Sequence, residues 1–97
     1  MTVTIEQIID RYAKPLAVVA DKDEAPATDV DELIDQLQDA SRNLGLAHFD
    51  TDDVDAAATY LTDARTSSGR EQQVLLNKAD QRLRNAWDLF DEYALMV

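Results

Sequence analysis

Apolar residues recur at three- and four-residue spacing along almost the whole chain, the signature of amphipathic α-helices. Ile5, Ile8, Ile9, Tyr12, Leu16 and Val19 form the first stripe, with Thr4 or Thr2 available to cap it. Pro15 falls inside that stripe. Proline has no N–H for the carbonyl four residues back, so a kink or a short second helix is predicted there. Residues 21–28 are polar, contain Pro26 and read as a loop. Thr28 or Asp29 then caps a second helix carrying Val30, Leu33, Ile34, Leu37, Ala40 and Leu44. Asn43-Leu44-Gly45-Leu46 predicts a Schellman ending, with Gly45 at positive φ and Leu46 folded back onto the helix.

Asp50 or Thr51 caps a third helix, running through Val54, Ala57, Ala58, Leu61 and Ala64, whose small residues allow close approach of a neighbour. Thr66-Ser67-Ser68-Gly69 is the next break, and Ser68 with Glu71 matches the capping-box pattern. Beyond it Leu76, Ala79, Leu83, Ala86, Phe90, Tyr93 and Val97 keep the spacing without interruption. One last helix over about 68–97 would be roughly 40 Å long at 1.5 Å per residue. These elements predict a single all-α domain over 1–97, a small antiparallel four-helix bundle with a long C-terminal helix.

Composition supports folding, since 24 of the 97 residues are Leu, Ile, Val or Phe, above the roughly 20% below which chains tend to stay disordered. It also removes chemistries. With no cysteine there is no disulfide and no thiolate nucleophile or ligand. The two glycines stand alone, so no phosphate loop exists, and no Gly-x-Ser-x-Gly elbow is present. His48, the single histidine, lies in a loop with no partner pattern for catalysis. Counted from Asp50 as a calcium loop, Val54, Asp55 and Leu61 occupy positions that require an oxygen ligand, glycine and glutamate. A di-iron Glu-x-x-His pair is also missing, because Gly45 stands three before His48. The expectation is a non-enzymatic protein with no cofactor and no metal. No apolar run approaches a membrane span, and no signal peptide pattern opens the chain, so a cytoplasmic protein without membrane contact is expected.

Charge changes the picture most. The net charge of −11 argues against direct nucleic-acid binding. Residues 1–20 and 64–97 are each neutral, so residues 21–63 carry all of it, thirteen acids against Lys22 and Arg42. On the last helix Asp80 to Arg84 and Arg84 to Asp88 are favourable i,i+4 pairs, as an ordinary exposed helix would arrange them. On the second helix Asp31, Asp35 and Asp39 instead stack at i, i+4 and i+8, which costs a few tenths of a kcal/mol per pair. Simple solubility or salt adaptation, suggested by fifteen Asp beside three Lys, would each account for acidity. Salt adaptation should decorate every exposed face, however, and both ends are neutral. A local break of helix rules points instead to a binding surface. The expected function is therefore an inhibitor, immunity or adaptor type of protein. Its acidic helical surface (Asp31, Glu32, Asp35, Asp39, Asp52, Asp53 and Asp55) would dock on a basic patch of a partner protein, one form being occlusion of a nucleic-acid-binding groove. The alternative is a structural subunit, a homodimer or larger assembly joined through Leu83, Trp87, Phe90 and Tyr93 of the last helix.

Overall fold

A computed structural model describes residues 3–21 and 23–96, so Thr2 as a cap and Val97 at the end of the last stripe lie outside the described residues. Five helices follow one another: α1 (Ile5–Ala20), α2 (Val30–Leu46), α3 (Asp52–Ala64), α4 (Gly69–Asn85) and α5 (Trp87–Met96). Among the described residues there is no strand.

The stripes predict the core. Ile8, Leu16, Val19, Leu33, Leu37, Leu44, Val54, Leu61 and Leu83 are all fully buried. Three residues outside the helices join them, Val3 ahead of α1, Ala27 in the connection to α2 and Ala86 between α4 and α5.

The helix order is not up-down-up-down. Asn43, near the carboxyl end of α2, donates from Nδ2 to the carbonyls of Val19 (2.9 Å) and Ala20 (2.6 Å) at the carboxyl end of α1. The two helices therefore end side by side and run parallel. Gln36 Nε2 donates to Ala25 O at 2.7 Å, which pins the returning connection against the middle of α2. Residues 21–29 can do this because nine residues extend up to about 30 Å, more than the roughly 24 Å of a 16-residue helix. Arg65 meets Asp31, and Ser41 meets Asp55, so α3 runs antiparallel to α2. Gln72 meets Ala64, and Arg82 meets Asp53, so α4 is antiparallel to α3. Gln73 bonds the Val3 carbonyl and Asp80 meets Tyr12, which makes α4 parallel to α1. Three amino termini thus share one pole, and Glu6, Asp31, Glu32 and Glu71 lie in their first turns, where the helix dipole favours them.

Four boundaries differ from the sequence reading. α1 continues through Pro15, because Tyr12, Ala13, Leu16 and Ala17 on both sides of it are buried on one continuous face. α2 ends later than Gly45. His48 takes φ 70°, Phe49 N–H donates to Leu44 O at 2.9 Å and His48 N–H to Gly45 O at 3.1 Å. That is a Schellman motif with His48 at the left-handed position and Phe49 as the apolar residue packed back on the core. Leu46, expected in that place, is 75% exposed. Ser68 makes no side-chain cap bond to α4, since Gly69 beside it adopts φ 60° and departs from helical geometry. Finally, the expected long last helix is interrupted at Ala86, leaving 17 residues in α4 and 10 in α5. Leu89 N–H reaches back only three residues to the Ala86 carbonyl, at 3.0 Å. Trp87 packs edge-on against Tyr12 of α1 with ring centroids 6.1 Å apart, and this contact holds α5 to the bundle.

Candidate acidic interface

The Asp ladder on α2 is only partly uncompensated. Asp31 accepts from Arg65 Nη1 at 2.6 Å, across from the end of α3. Asp39 lies 3.5 Å from Arg42 Nη1, three residues along its own helix. Asp35 is exposed and forms no ion pair among the described residues. Glu32 accepts from the Thr28 hydroxyl at 2.8 Å, while its own N–H is capped by Asp29 at 2.8 Å.

On α3, Asp53 turns inward and accepts from Arg82 Nη1 of α4 at 2.9 Å. That hydrogen bond raises the Arg82 pKa further above its usual value. Asp52 is exposed, and its N–H is held by Asp50 at 3.0 Å. Asp55 accepts from the Ser41 hydroxyl of α2 and, at 3.2 Å, from Thr51. The seven acidic residues predicted as one surface therefore divide: Asp31, Asp39 and Asp53 are neutralised by arginines, and Glu32, Asp35, Asp52 and Asp55 are not.

Between α2 and α3 lies a shallow groove of about 300 Å³, lined by Gln38, Asp55, Ala58, Thr59, Thr62 and Asp63. Thr59 donates to the Asp55 carbonyl at 3.1 Å and Thr62 to the Ala58 carbonyl at 2.8 Å. Each hydroxyl has spent its one proton and offers only lone pairs. With the Asp55 and Asp63 carboxylates, acceptors predominate around the small floor of Ala58, and the Gln38 amide is the one donor group in the lining. Such a surface fits a cationic donor, the head of an arginine or lysine. Asp63 was missed in the sequence, although Asp55, Thr59 and Asp63 repeat at the same four-residue spacing as the α2 ladder. Among the described residues no group of His, Asp and Glu side chains is arranged to hold a metal ion.

The expected self-association residues also divide. Leu83 and Phe90 are core residues, 0% and 2% exposed, and present no surface to a second copy. Tyr93 is half-buried against the core. Trp87 is 38% exposed, and beyond it Leu95 (88%) and Met96 (63%) project from the end of α5.

A second polar cluster joins α1 and α4. Asp80, which sequence spacing places in ordinary exposed pairs, is buried. Its carboxylate accepts from Tyr12 Oη at 2.7 Å, Arg11 Nη1 at 3.2 Å and Arg84 Nε at 3.1 Å. Burial, reinforced by the bond to Asp80, raises the Tyr12 hydroxyl above its ordinary pKa. Only the i,i+4 link to Arg84 was legible in the sequence, because Arg11 and Tyr12 arrive from 69 and 68 positions away. No family model matches this chain, and neither a curated protein nor a solved structure matches it.

Proposed function

We propose that this chain is a small non-enzymatic binding protein, of inhibitor, immunity or adaptor type. It would dock its α2–α3 face on a basic patch of a partner protein. The observation that carries this reading is the groove over Ala58, where the Asp55 and Asp63 carboxylates and two threonine hydroxyls outnumber the single donor group, the Gln38 amide, with Asp35 exposed on α2. A partner's arginine or lysine side chain would enter that groove, and the remaining negative field would steer encounter. A partner that uses the same basic patch for nucleic acid would be occluded by this contact, whereas the chain itself would not bind nucleic acid. The setting for such a role would be the cytoplasm; no described helix is long and apolar enough to cross a membrane.

Affinity capture followed by mass spectrometry tests the reading when wild type is compared with the Asp35→Asn/Asp55→Asn/Asp63→Asn variant. A basic protein retained by wild type at low salt and lost from the variant is the expected result. Capture unchanged by the three substitutions would remove this surface from consideration.

A second reading is favoured by one feature, the exposed apolar tip of α5 at Leu95 and Met96 with Trp87 behind it. There a homodimer or a larger assembly would form through a smaller residue set than the four first named. Light scattering over a hundredfold concentration range decides it: a constant mass near 10.9 kDa excludes the dimer.

A further inference from the structure

We infer that the cavity between α1 and the α4–α5 junction is a binding site for a free aromatic amino acid. It is a separate site from the acidic groove and does not depend on that reading. This cavity is a cleft broadly open to solvent, about 480 Å³ in volume and lined by Arg11, Tyr12, Arg84, Trp87 and Asp88.

Its floor is held rigid by Asp80. The buried carboxylate takes one contact from each guanidinium, Nη1 of Arg11 and Nε of Arg84, and a third from the Tyr12 hydroxyl. A guanidinium has five N–H donors, so both arginines keep donors for a ligand while their positions are set in advance. The side chains of Arg11 and Arg84 remain 38% and 54% exposed, which leaves those donors accessible.

Charge selects the ligand class. By count, Asp80 and Asp88 offset the two arginines: both guanidiniums pair with Asp80, and Asp88, on the wall, forms no ion pair among the described residues. A site of zero net charge gains little from a simple anion. A zwitterion matches both ends, its carboxylate on the arginines and its ammonium on Asp88. Trp87 supplies the apolar wall. It meets Tyr12 and Phe90 only edge-on, at interplanar angles of 65° and 70°, and stays 38% exposed. A planar side chain packed there gains area and aromatic contact together.

The chain has a single tryptophan, so its fluorescence reports on this wall alone. Titration with phenylalanine, which does not absorb at the tryptophan excitation edge, should change Trp87 emission saturably. Two probes each remove one charge: phenylalaninamide lacks the carboxylate, and 3-phenylpropionate lacks the ammonium. Both should bind about two- to fivefold more weakly than phenylalanine, the expected loss for one partly exposed ionic contact. Asp88→Asn, a change at an exposed position, should weaken phenylalanine by a similar factor and, because the site then carries a net positive charge, leave 3-phenylpropionate equally or more tightly bound. A linear, non-saturating response, equal binding of all three probes, or a titration unmoved by Asp88→Asn overturns the assignment. Melting of the variant alongside wild type separates loss of the site from loss of the fold.

Discussion

At the scale of single residues, His48 and Gly45 occupy each other's natural places. His48 holds the left-handed φ that ends α2, while Gly45 lies inside the helix with nothing within 4 Å of an added Cβ. Histidine tolerates that conformation better than most residues, but only glycine adopts it without steric cost. Gly45→Ala should stabilise by about 0.5–1 kcal/mol, and His48→Gly by about 1 kcal/mol; urea denaturation of the pair should show near-additive gains, and a net loss would contradict this account of the motif. Asp80 is the residue where one change should cost most. Breaking a fully buried ion pair costs roughly 3–5 kcal/mol, and the partial exposure of Arg11 and Arg84 reduces the expectation for Asp80→Ala to about 2–3 kcal/mol. Tyr12 adds a pH dependence. Its folded pKa lies above the ordinary 10.0, so the folded state binds its proton more tightly. That contribution is complete below pH 10 and is lost as pH rises through the folded value. Tyr12→Phe should flatten this alkaline part of the stability profile and delete the late-titrating tyrosinate from an absorbance titration.

At the scale of elements, two helices keep local costs that the packing outweighs. Proline inside a helix costs about 3 kcal/mol, offset in part by the roughly 0.4–1 kcal/mol gained from a stiffer unfolded chain. Pro15→Ala should therefore raise stability by about 2 kcal/mol, and the far-ultraviolet helical signal should not fall. A drop in melting temperature would mean that the proline geometry of α1 is needed for its fit to α2 and α5. The parallel arrangement of α1 and α2 makes a second demand. Two carboxyl ends side by side leave carbonyls of like polarity adjacent, and the Asn43 amide bridges two of those on α1. Asn43→Ala should cost about 1–2 kcal/mol. Amide hydrogen exchange should also show faster opening in the connection that follows α1, a local change that general destabilisation would not confine there.

At the scale of the whole molecule, negative charge and its compensation decide behaviour in solution. Arg65 and Arg82, from outside the acidic stretch, cross over to Asp31 and Asp53. The excess that remains still repels itself, and screening shortens its reach from about 30 Å at 0.01 M salt to about 3 Å at 1 M. Melting temperature should rise with sodium chloride over that range. Within the ladder the signs should separate. Asp35→Asn removes repulsion without breaking a pair and should stabilise slightly, whereas Asp31→Asn loses Arg65 and should destabilise slightly. Each effect should stay within about 1 kcal/mol. Equal shifts from the two variants would mean that the Arg65 pair has no thermodynamic weight.

By itself the sequence determined the helical class, most of the buried stripe residues and the concentration of acid in residues 21–63, and it narrowed the caps of α1 and α2 to two residues each, of which the structure uses Thr4 and Asp29, because all of these depend on spacing within a few turns. The direction of α1 relative to α2 was not legible, since a nine-residue connection spans either a tight return or a full helix length. Nor was the break at Ala86, where a strong helix former continues an unbroken stripe and the packing of α5 through Trp87 on Tyr12 and through buried Phe90 is tertiary. Local periodicity likewise placed Asp80 in the solvent. Tertiary structure buried it, by bringing Arg11 and Tyr12 from the far end of the chain to satisfy a charge that no neighbour in sequence could satisfy alone.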